Sequence, residues 1–349
     1  MSLTAIGEGL VGRGHRVTIV CRPDSALHRR APSLHSAIIP LRIAGDIDPV
    51  TIWRIHRLIT HNKVDVVCVH TNKELRVGGI AASLAHVPTV ISREIDLPIK
   101  NTRLNRFFYT KVASAVMVNS FATMNTLLAS APWLHRDRIT VVWKGIDIDA
   151  FTRAQPLNLK KEFRLGEDAV IAGFVGRLEE QKGIATLLEA MSLVVQRNDK
   201  VVLVMAGEGS LRDTIATFCS DRRLGEHIVL AGFREDIPAF MKAVDFLVMP
   251  SNWEGFGYSA AEAMAAGKPV IATNVSSLPE IVQDGTTGIL VPPRTSAKLA
   301  EAILALADDV TLRESLGRAG ARRAEETFPL SAMLDKVESL FRKIAQPVS

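Results

Sequence analysis

The 349-residue chain contains only three cysteines, Cys21, Cys68 and Cys219, far apart and without Cys-x-x-Cys or His-Cys spacing. That scarcity excludes a disulfide framework or structural zinc and fits a reducing cytoplasm. No apolar run reaches the ~18 residues that a bilayer span requires. No basic segment followed by an apolar one opens the sequence, so no secretory signal is expected. A zinc finger, an RNP motif and a basic helix are all missing, so nucleic acid is not an expected partner. A dinucleotide fingerprint needs Gly-x-Gly-x-x-Gly after the first strand, with an acid ~20 residues on. The nearest run, Gly207-Glu-Gly209-Ser-Leu-Arg212, lacks the third glycine, which argues against a nicotinamide dehydrogenase. Asp-x-Asp occurs twice, at Asp46/Asp48 and Asp147/Asp149, without a neighbouring histidine or third carboxylate. Asp48 precedes Pro49 and suits a helix N-cap, the second pair lies in a turn, and no bound metal or other cofactor is expected.

What is present is ample apolar material: 47% hydrophobic residues, enough for two packed cores at this length. Charge is unevenly placed. Residues 1–150 carry 19 Lys/Arg against 11 Asp/Glu, a net +8, whereas residues 151–349 carry 23 against 26, a net −3. A basic first half suggests an anionic partner, such as a phosphorylated acceptor or an anionic membrane surface.

Short β-branched runs at 16–20, 36–41, 64–69, 88–91, 115–118 and 139–142 alternate with helical patterns near 50–61, 74–86, 103–113 and 120–130. The alternation resumes at Val170. Strands alternating with helices of this length predict parallel sheets. Two α/β domains are expected, 1–150 and 151–330, with the boundary near Asp149–Pro156 and a terminal helix over about 331–345.

The segment Met249-Pro-Ser-Asn-Trp-Glu254-Gly-Phe-Gly-Tyr-Ser-Ala-Ala-Glu262 carries the most chemistry. The apolar run Phe246–Met249 predicts a strand, Glu254-Gly255-Phe256-Gly257 a loop, and Tyr258 the start of a helix. Ligands collect at the carboxyl ends of parallel strands, and a helix N-terminus offers free N–H groups and a positive dipole end to a phosphate. Glu262, one turn in, suits the hydroxyls of a sugar. Ser259-Ala-Ala-Glu262 equally fits a capping box, which needs no ligand. A second segment, Val170-Ile-Ala-Gly-Phe-Val-Gly176-Arg177-Leu-Glu-Glu-Gln-Lys182-Gly183, predicts a buried strand, a glycine turn and two cations at a helix entry. Arg177 as a bidentate fork and Lys182 as a point charge suit a diphosphate; an ordinary solvated loop is the alternative.

These two segments resemble the C-terminal half of the retaining glycosyltransferases of family 4. The likeness extends through Val201-Val-Leu-Val-Met-Ala-Gly-Glu-Gly209, Ile228-Val-Leu-Ala-Gly-Phe233, Gly267-Lys-Pro-Val-Ile-Ala-Thr273, Leu278-Pro-Glu280 and Gly285-Thr-Thr-Gly288-Ile-Leu-Val-Pro-Pro293, covering roughly residues 145–330 in order. In the first half it is looser, through Arg13-Gly-His-Arg-Val-Thr-Ile-Val20, Val64-Asp-Val-Val-Cys-Val-His70 and Lys144-Gly-Ile-Asp147. The resemblance implies the GT-B fold, two Rossmann-like α/β/α domains facing across a cleft, with the terminal helix crossing back to the first domain.

It further implies a metal-independent transferase that moves a sugar from a nucleotide-diphosphate donor to a hydroxyl of a lipid-linked or polysaccharide acceptor. Arg177 and Lys182, after Gly176, would contact the diphosphate, Glu262 the ribose, and Glu254 a hydroxyl of the transferred sugar. Backbone N–H groups of Phe256 and Gly257 would approach the sugar, and those of Tyr258 and Ser259 the phosphate. Gly207 and Glu208 would lie along the nucleotide, and Phe233 at the base. Ser276-Ser277 stands where the family often has Gly-Gly. Cys21-Arg-Pro-Asp-Ser-Ala-Leu27 and Ser92-Arg-Glu-Ile-Asp-Leu-Pro98 are similar to bacterial envelope enzymes, including those of lipopolysaccharide assembly.

On the acceptor side the histidine common in relatives after the strand 88–92 is absent, which leaves Arg93, Glu94 or His70 as candidates. Family members also begin with a strand and a glycine-rich loop, whereas residues 1–15 already read as the first helix. A strand position of the first sheet is therefore expected to be empty or filled from elsewhere. A non-catalytic sugar-nucleotide-binding protein is the rival reading. Finally, Lys100-Asn-Thr-Arg103-Leu-Asn-Arg106-Phe107-Phe108-Tyr109-Thr-Lys111 mixes cations with aromatics. It suits peripheral contact with anionic lipid at the inner face of the membrane, or an amphipathic helix with its aromatics in the core.

Overall fold

The computed structural model describes residues 2–29 and 34–345. The chain forms two compact units: one runs to Gly145 and regains the chain from Ser331, and the other spans Ile146–Leu330. The division falls before the expected 149–156. The reason is the helix Ile148–Arg153, which buries Phe151 and packs on the helices Ile237–Ala243 and Tyr258–Ala265 of the second unit.

In the first unit, local sequence explains most helix starts. Asp48 accepts from the Thr51 amide ahead of Pro49 to open the helix Pro49–His61, the N-cap expected from the sequence. Thr71 and Glu74 form a capping box on the helix Asn72–Leu84, satisfying two otherwise orphaned amides reciprocally. Ser120 caps the helix Phe121–Ser130. The strands β1 (Thr18–Cys21) and β2 (Ala37–Pro40) pair in parallel with each other alone. The strands β3 (Val67–Val69), β4 (Thr89–Arg93), β5 (Ala115–Val118) and β6 (Ile139–Val141) form a separate parallel sheet in that order. The first residues do form a helix, Ser2–Gly12, and among the described residues no strand joins the two sheets. β4 and β5 are buried almost throughout, whereas Val20 on β1 is 40% exposed.

The terminal helix Leu330–Ala345 buries Met333, Leu334, Val337 and Leu340. Leu334 lies so close to Gly9 that a Cβ there would meet it at 2.4 Å. Arg13 ties this helix to the first one through Asp335 at 2.7 Å and Glu338 at 3.0 Å.

The second unit has one six-stranded parallel sheet in the order β12-β11-β10-β7-β8-β9. Its strands are β7 (Val170–Val175), β8 (Val201–Ala206), β9 (Ile228–Gly232), β10 (Phe246–Met249), β11 (Val270–Thr273) and β12 (Gly288–Val291). β8, β10 and β11 are buried along their whole length, so they are continuous apolar runs, as a sheet covered on both faces requires. One core includes Phe174, Leu187, Met191 and Leu203 on one side, and another includes Ile171, Val204 and Phe240. The chain moves from β7 outward through β8 to β9, then returns to the other side of β7 and moves outward through β10 to β12. The crevice beyond the carboxyl ends of β7 and β10 is therefore the topological switch point, where such sheets take their ligands.

Candidate active site

Both motifs singled out in the sequence lie at this switch point. Gly176–Lys182 follows β7, Glu254–Glu262 follows β10, and Gly207–Gly209 follows β8 next door. The first two loops are laced together. The Asn252 amide donates to the Gln181 carbonyl at 2.8 Å, the Asn252 side-chain amide donates to the Glu180 carbonyl at 2.7 Å, and the Gln181 side chain donates to the Trp253 carbonyl at 3.1 Å. Gly183 makes the approach possible. Its φ is +68°, and a Cβ would sit 1.9 Å from the Pro250 carbonyl oxygen, so any other residue must push the loops apart.

The lacing brings Lys182 to Glu254. Nζ lies 2.5 Å from Oε1, and the Ser251 hydroxyl donates to the same oxygen at 2.7 Å. Glu254 is only 6% exposed, and a carboxylate so buried needs its paired cation. The sequence reading assigned Lys182 and Glu254 to different parts of a ligand; the structure joins them to each other as well. Arg177 is exposed and donates to the Gln181 side chain at 2.8 Å.

Gly257, at φ +92°, caps the helix Tyr258–Ala265 without a side-chain bond. A left-handed turn at that point suits glycine, and it leaves the amides of Tyr258 and Ser259 outside the intrahelical ladder. The capping-box alternative for Ser259 and Glu262 is not what forms. Ser259 is already inside the helix, and its hydroxyl donates to the Val175 carbonyl at 2.9 Å, fastening the helix to the end of β7. Glu262 has no hydrogen bond or ion pair among the described residues, and burial pushes its carboxyl up to about 7.

Phe256 is buried, with its ring edge-on to Tyr258 at 5.6 Å and to Phe328 at 5.7 Å. This packing fixes the loop on which Gly255 and Gly257 sit. The Ser277 hydroxyl holds the Phe256 carbonyl at 2.9 Å, and the preceding Ser276 takes φ +47°. The departure from Gly-Gly is thus a strained residue followed by a pinning hydroxyl. Glu208 is exposed, and Phe233, after β9, is 70% exposed. Its neighbour Arg234 is taken up by Glu162 and Asp236 at 2.6 and 2.8 Å.

A model described as Glycosyl transferases group 1 matches residues 157–323, and one described as Glycosyltransferase Family 4 matches residues 1–150. The chain belongs to glycosyltransferase family 4. An alpha-D-kanosaminyltransferase of Streptomyces kanamyceticus is 31% identical over 56% of this family 4 chain and 51% of its own length; the chain spans about half of that relative. A UDP-Gal:alpha-D-GlcNAc-diphosphoundecaprenol alpha-1,3-galactosyltransferase of Escherichia coli is 25% identical over 84% of this chain and 79% of its own. A glycosyltransferase from Rickettsia africae ESF-5 has a TM-score of 0.89 at 20% identity, covering 98% of this chain and 94% of that one. The fold of this glycosyltransferase is accordingly GT-B, built from two α/β domains with parallel sheets.

The first unit of the family 4 chain carries its own polar cluster. His70 follows β3, Glu94 follows β4 and Lys144 lies beyond β6. Lys144 is buried, with Nζ 2.5 Å from Glu94 Oε1, and His70 Nδ1 lies 3.7 Å from the same oxygen. Burial opposes both charges, yet contacts with Cys68 and Glu94 raise His70 to about 10, while His70 and Lys144 hold Glu94 near 2. His70 Nε2 is buried without a partner. Of the three acceptor-side candidates, His70 and Glu94 come together, whereas Arg93 turns to the Leu97 carbonyl at 2.6 Å. Sequence reasoning missed Lys144 as their partner, as it missed Ser251 and Gln181. Each is an ordinary polar residue after a strand, and its partner is set by the sheet order.

Both Asp-x-Asp pairs are engaged locally. Asp46 meets Arg76, Asp48 and Asp147 cap helices, and Asp149 pairs with Arg153 at 3.0 Å.

Proposed function

We propose that this glycosyltransferase is retaining and metal-independent, and moves a sugar from a nucleotide-diphosphate donor to a hydroxyl of an anionic lipid-linked or polysaccharide acceptor in bacterial envelope synthesis. It would act at the cytoplasmic face of the membrane. The observation that carries the reading is the convergence at one switch point of Arg177, the Lys182–Glu254 pair, the helix start at Tyr258 and the unpaired Glu262. The E. coli relative, whose name specifies a UDP-sugar and a diphosphoundecaprenol-linked sugar, supports the donor and acceptor classes.

In this reading Arg177, Lys182 and the amides of Tyr258 and Ser259 neutralise the charge that grows on the leaving diphosphate. Glu262 accepts hydrogen bonds from the ribose hydroxyls. Both bonds to Glu254 fall on Oε1, which leaves Oε2 for a hydroxyl of the transferred sugar. Gly176 and Gly207 let the nucleotide approach the backbone, with Glu208 beside it and Phe233 at the base. The acceptor hydroxyl attacks from the face the diphosphate leaves. A diphosphate oxygen takes its proton, the bond from the sugar carbon to the donor oxygen breaks as the new one forms, and the configuration is kept.

The test is calorimetry with nucleoside diphosphates, followed by a transfer assay with the matching sugar donor before and after EDTA. Binding, EDTA-resistant transfer and a product of retained configuration are expected. Loss of activity with EDTA and rescue by Mg²⁺ or Mn²⁺ overturns the metal-free mechanism. Donor binding without transfer to any acceptor favours the non-catalytic alternative.

A further inference from the structure

Two side chains hold Glu254 by one oxygen, and they do so by different means. Lys182 Nζ lies 2.5 Å from Oε1, and the Ser251 hydroxyl donates to the same oxygen at 2.7 Å. A lysine ammonium is a point charge with three rotatable donors on a flexible stem. It stabilises a carboxylate by charge and leaves its orientation loosely set. A serine hydroxyl carries one donor on a short side chain. It fixes where the accepting oxygen sits, provided that its own backbone cannot move.

The backbone at Ser251 is held at three successive residues. The Pro250 carbonyl lies against Gly183, where a Cβ would come within 1.9 Å of its oxygen. The Ser251 carbonyl accepts from the Thr273 hydroxyl at 2.5 Å, at the end of β11. The Asn252 amide donates to the Gln181 carbonyl at 2.8 Å. Ser251 is 0% and Thr273 1% exposed, so water does not compete for these bonds. The carboxyl ends of β7, β10 and β11, three neighbouring strands, thus converge on one hydroxyl, three residues before the carboxylate it holds.

We propose that Ser251 is a positioning residue for sugar transfer: its hydroxyl fixes the Glu254 carboxylate so that Oε2 faces the transferred sugar while Lys182 serves the diphosphate. This rests on the reading of Glu254 as the sugar contact and deepens it. Once a donor is bound, Lys182 has two anions to serve. Any movement of its ammonium towards the diphosphate loosens the hold on Oε1, and the Ser251 bond then sets the carboxylate alone. A misplacement of about 1 Å near the reacting atoms can cost about a hundredfold in rate, so this bond acts on transfer rather than on nucleotide binding. A bond that only satisfied a buried carboxylate would instead cost stability when lost and leave turnover per folded molecule unchanged.

The experiment uses the full chain, with UDP for calorimetry. Turnover is read as UDP released from UDP-glucose, UDP-galactose or UDP-N-acetylglucosamine, whichever is cleaved. Ser251→Ala should keep UDP affinity within about twofold and lower kcat roughly ten- to a hundredfold, with little change in KM. Ser251→Cys, which keeps a weak S–H donor, should fall between the two. Coupling separates a residue acting through Glu254 from one acting on its own. Adding Ser251→Ala to Glu254→Gln should cost less than about a further twofold, whereas adding it to Arg177→Ala should multiply the two losses. In a crystal structure of the Ser251→Ala chain, the Glu254 carboxylate should have left its position. Undiminished kcat in Ser251→Ala, losses that multiply with Glu254→Gln, or an unmoved carboxylate overturns the positioning role. The crystal structure decides even where none of the three donors is cleaved. Undiminished turnover in Glu254→Gln overturns the reading of Glu254 itself, so the two failures are told apart.

Discussion

Each unit of this glycosyltransferase places a lysine–glutamate pair with one buried member at the carboxyl rim of its parallel sheet. In the second unit Lys182 meets Glu254, and in the first Lys144 meets Glu94, both at 2.5 Å. The local chemistry is the same and the surroundings are not. Lys182–Glu254 joins loops on adjacent strands at the switch point, beside the glycine-capped start of the helix Tyr258–Ala265. Lys144–Glu94 joins loops two strands apart and shares its carboxylate with His70. A lysine–glutamate pair at a sheet rim is therefore not by itself specific to one site. What distinguishes the second is the set of backbone donors around it.

The largest expected effect sharpens that contrast. Lys182→Ala should lower turnover by on the order of 10²–10³-fold, the scale for losing a group that stabilises charge in the transition state. Lys144→Ala should leave nucleoside-diphosphate affinity unchanged and destabilise the first unit by about 3 kcal/mol, because Glu94 loses its buried partner. Calorimetry and thermal melts on both variants decide. Equal loss of nucleotide affinity in the two would break the distinction.

Sheet continuity gives the next difference. Amides of β1 and β2, paired only with each other, should exchange at least about a hundredfold faster than those of β7 and β8, which sit inside a six-stranded ladder. Peptide-level hydrogen exchange reads this directly. Similar protection in both sheets would show that the first unit's divided sheet carries no cost in local stability.

The units should also respond oppositely to pH. Glu262 is raised from 4.5 to about 7, so the folded second unit binds a proton that the unfolded chain releases. Its contribution is full below 4.5 and is lost as pH rises through about 7, worth at most about 3 kcal/mol. In the first unit Glu94 is held near 2, so its contribution is present above 4.5 and lost as pH falls towards 2. His70, raised to about 10, contributes fully below 6.5 and loses that contribution as pH rises through about 10. From 4.5 to 6.5 the first unit's cluster should hold steady while the second weakens. Glu262→Gln should flatten the second unit's slope in a pH series of exchange measurements, and a slope unchanged in that variant would remove Glu262 as its cause.

The smallest effect expected is for Ser276→Gly. Relieving φ +47° should raise stability by about 0.5–1 kcal/mol at most, seen as a small rise in the melting temperature. Lower stability would mean that the strain is repaid by contacts of the Ser276 side chain.

Much of the fold was legible because its elements are locally encoded. The β-branched runs became strands within a few residues of their expected limits, and Asp48-Pro49 and Ser120 opened helices as capping chemistry requires. The stretch 103–113 was expected as one helix and is instead a short α-helix followed by a π-turn. There the second turn widens while Phe108 and Tyr109 are held in the core, which propensity does not register. In the site, Gly176, Gly183 and Gly257 marked the loops, because close backbone approach and left-handed turns leave a residue signature. Ser251, Gln181 and Lys144 left none.

By itself the sequence determined that the chain is a pair of parallel α/β units, and where the loops rich in glycine, cation and carboxylate fall on them. Periodicity, β-branching and glycine act over a few residues and are written where they act. The tertiary structure alone decided that β7 lies between β8 and β10, that Lys182 finds Glu254 across 72 residues and Lys144 finds Glu94 across 50, and that Glu262 stays half-buried without a partner. Strand order and burial depend on how distant segments share one core, and no local window of sequence contains that energy.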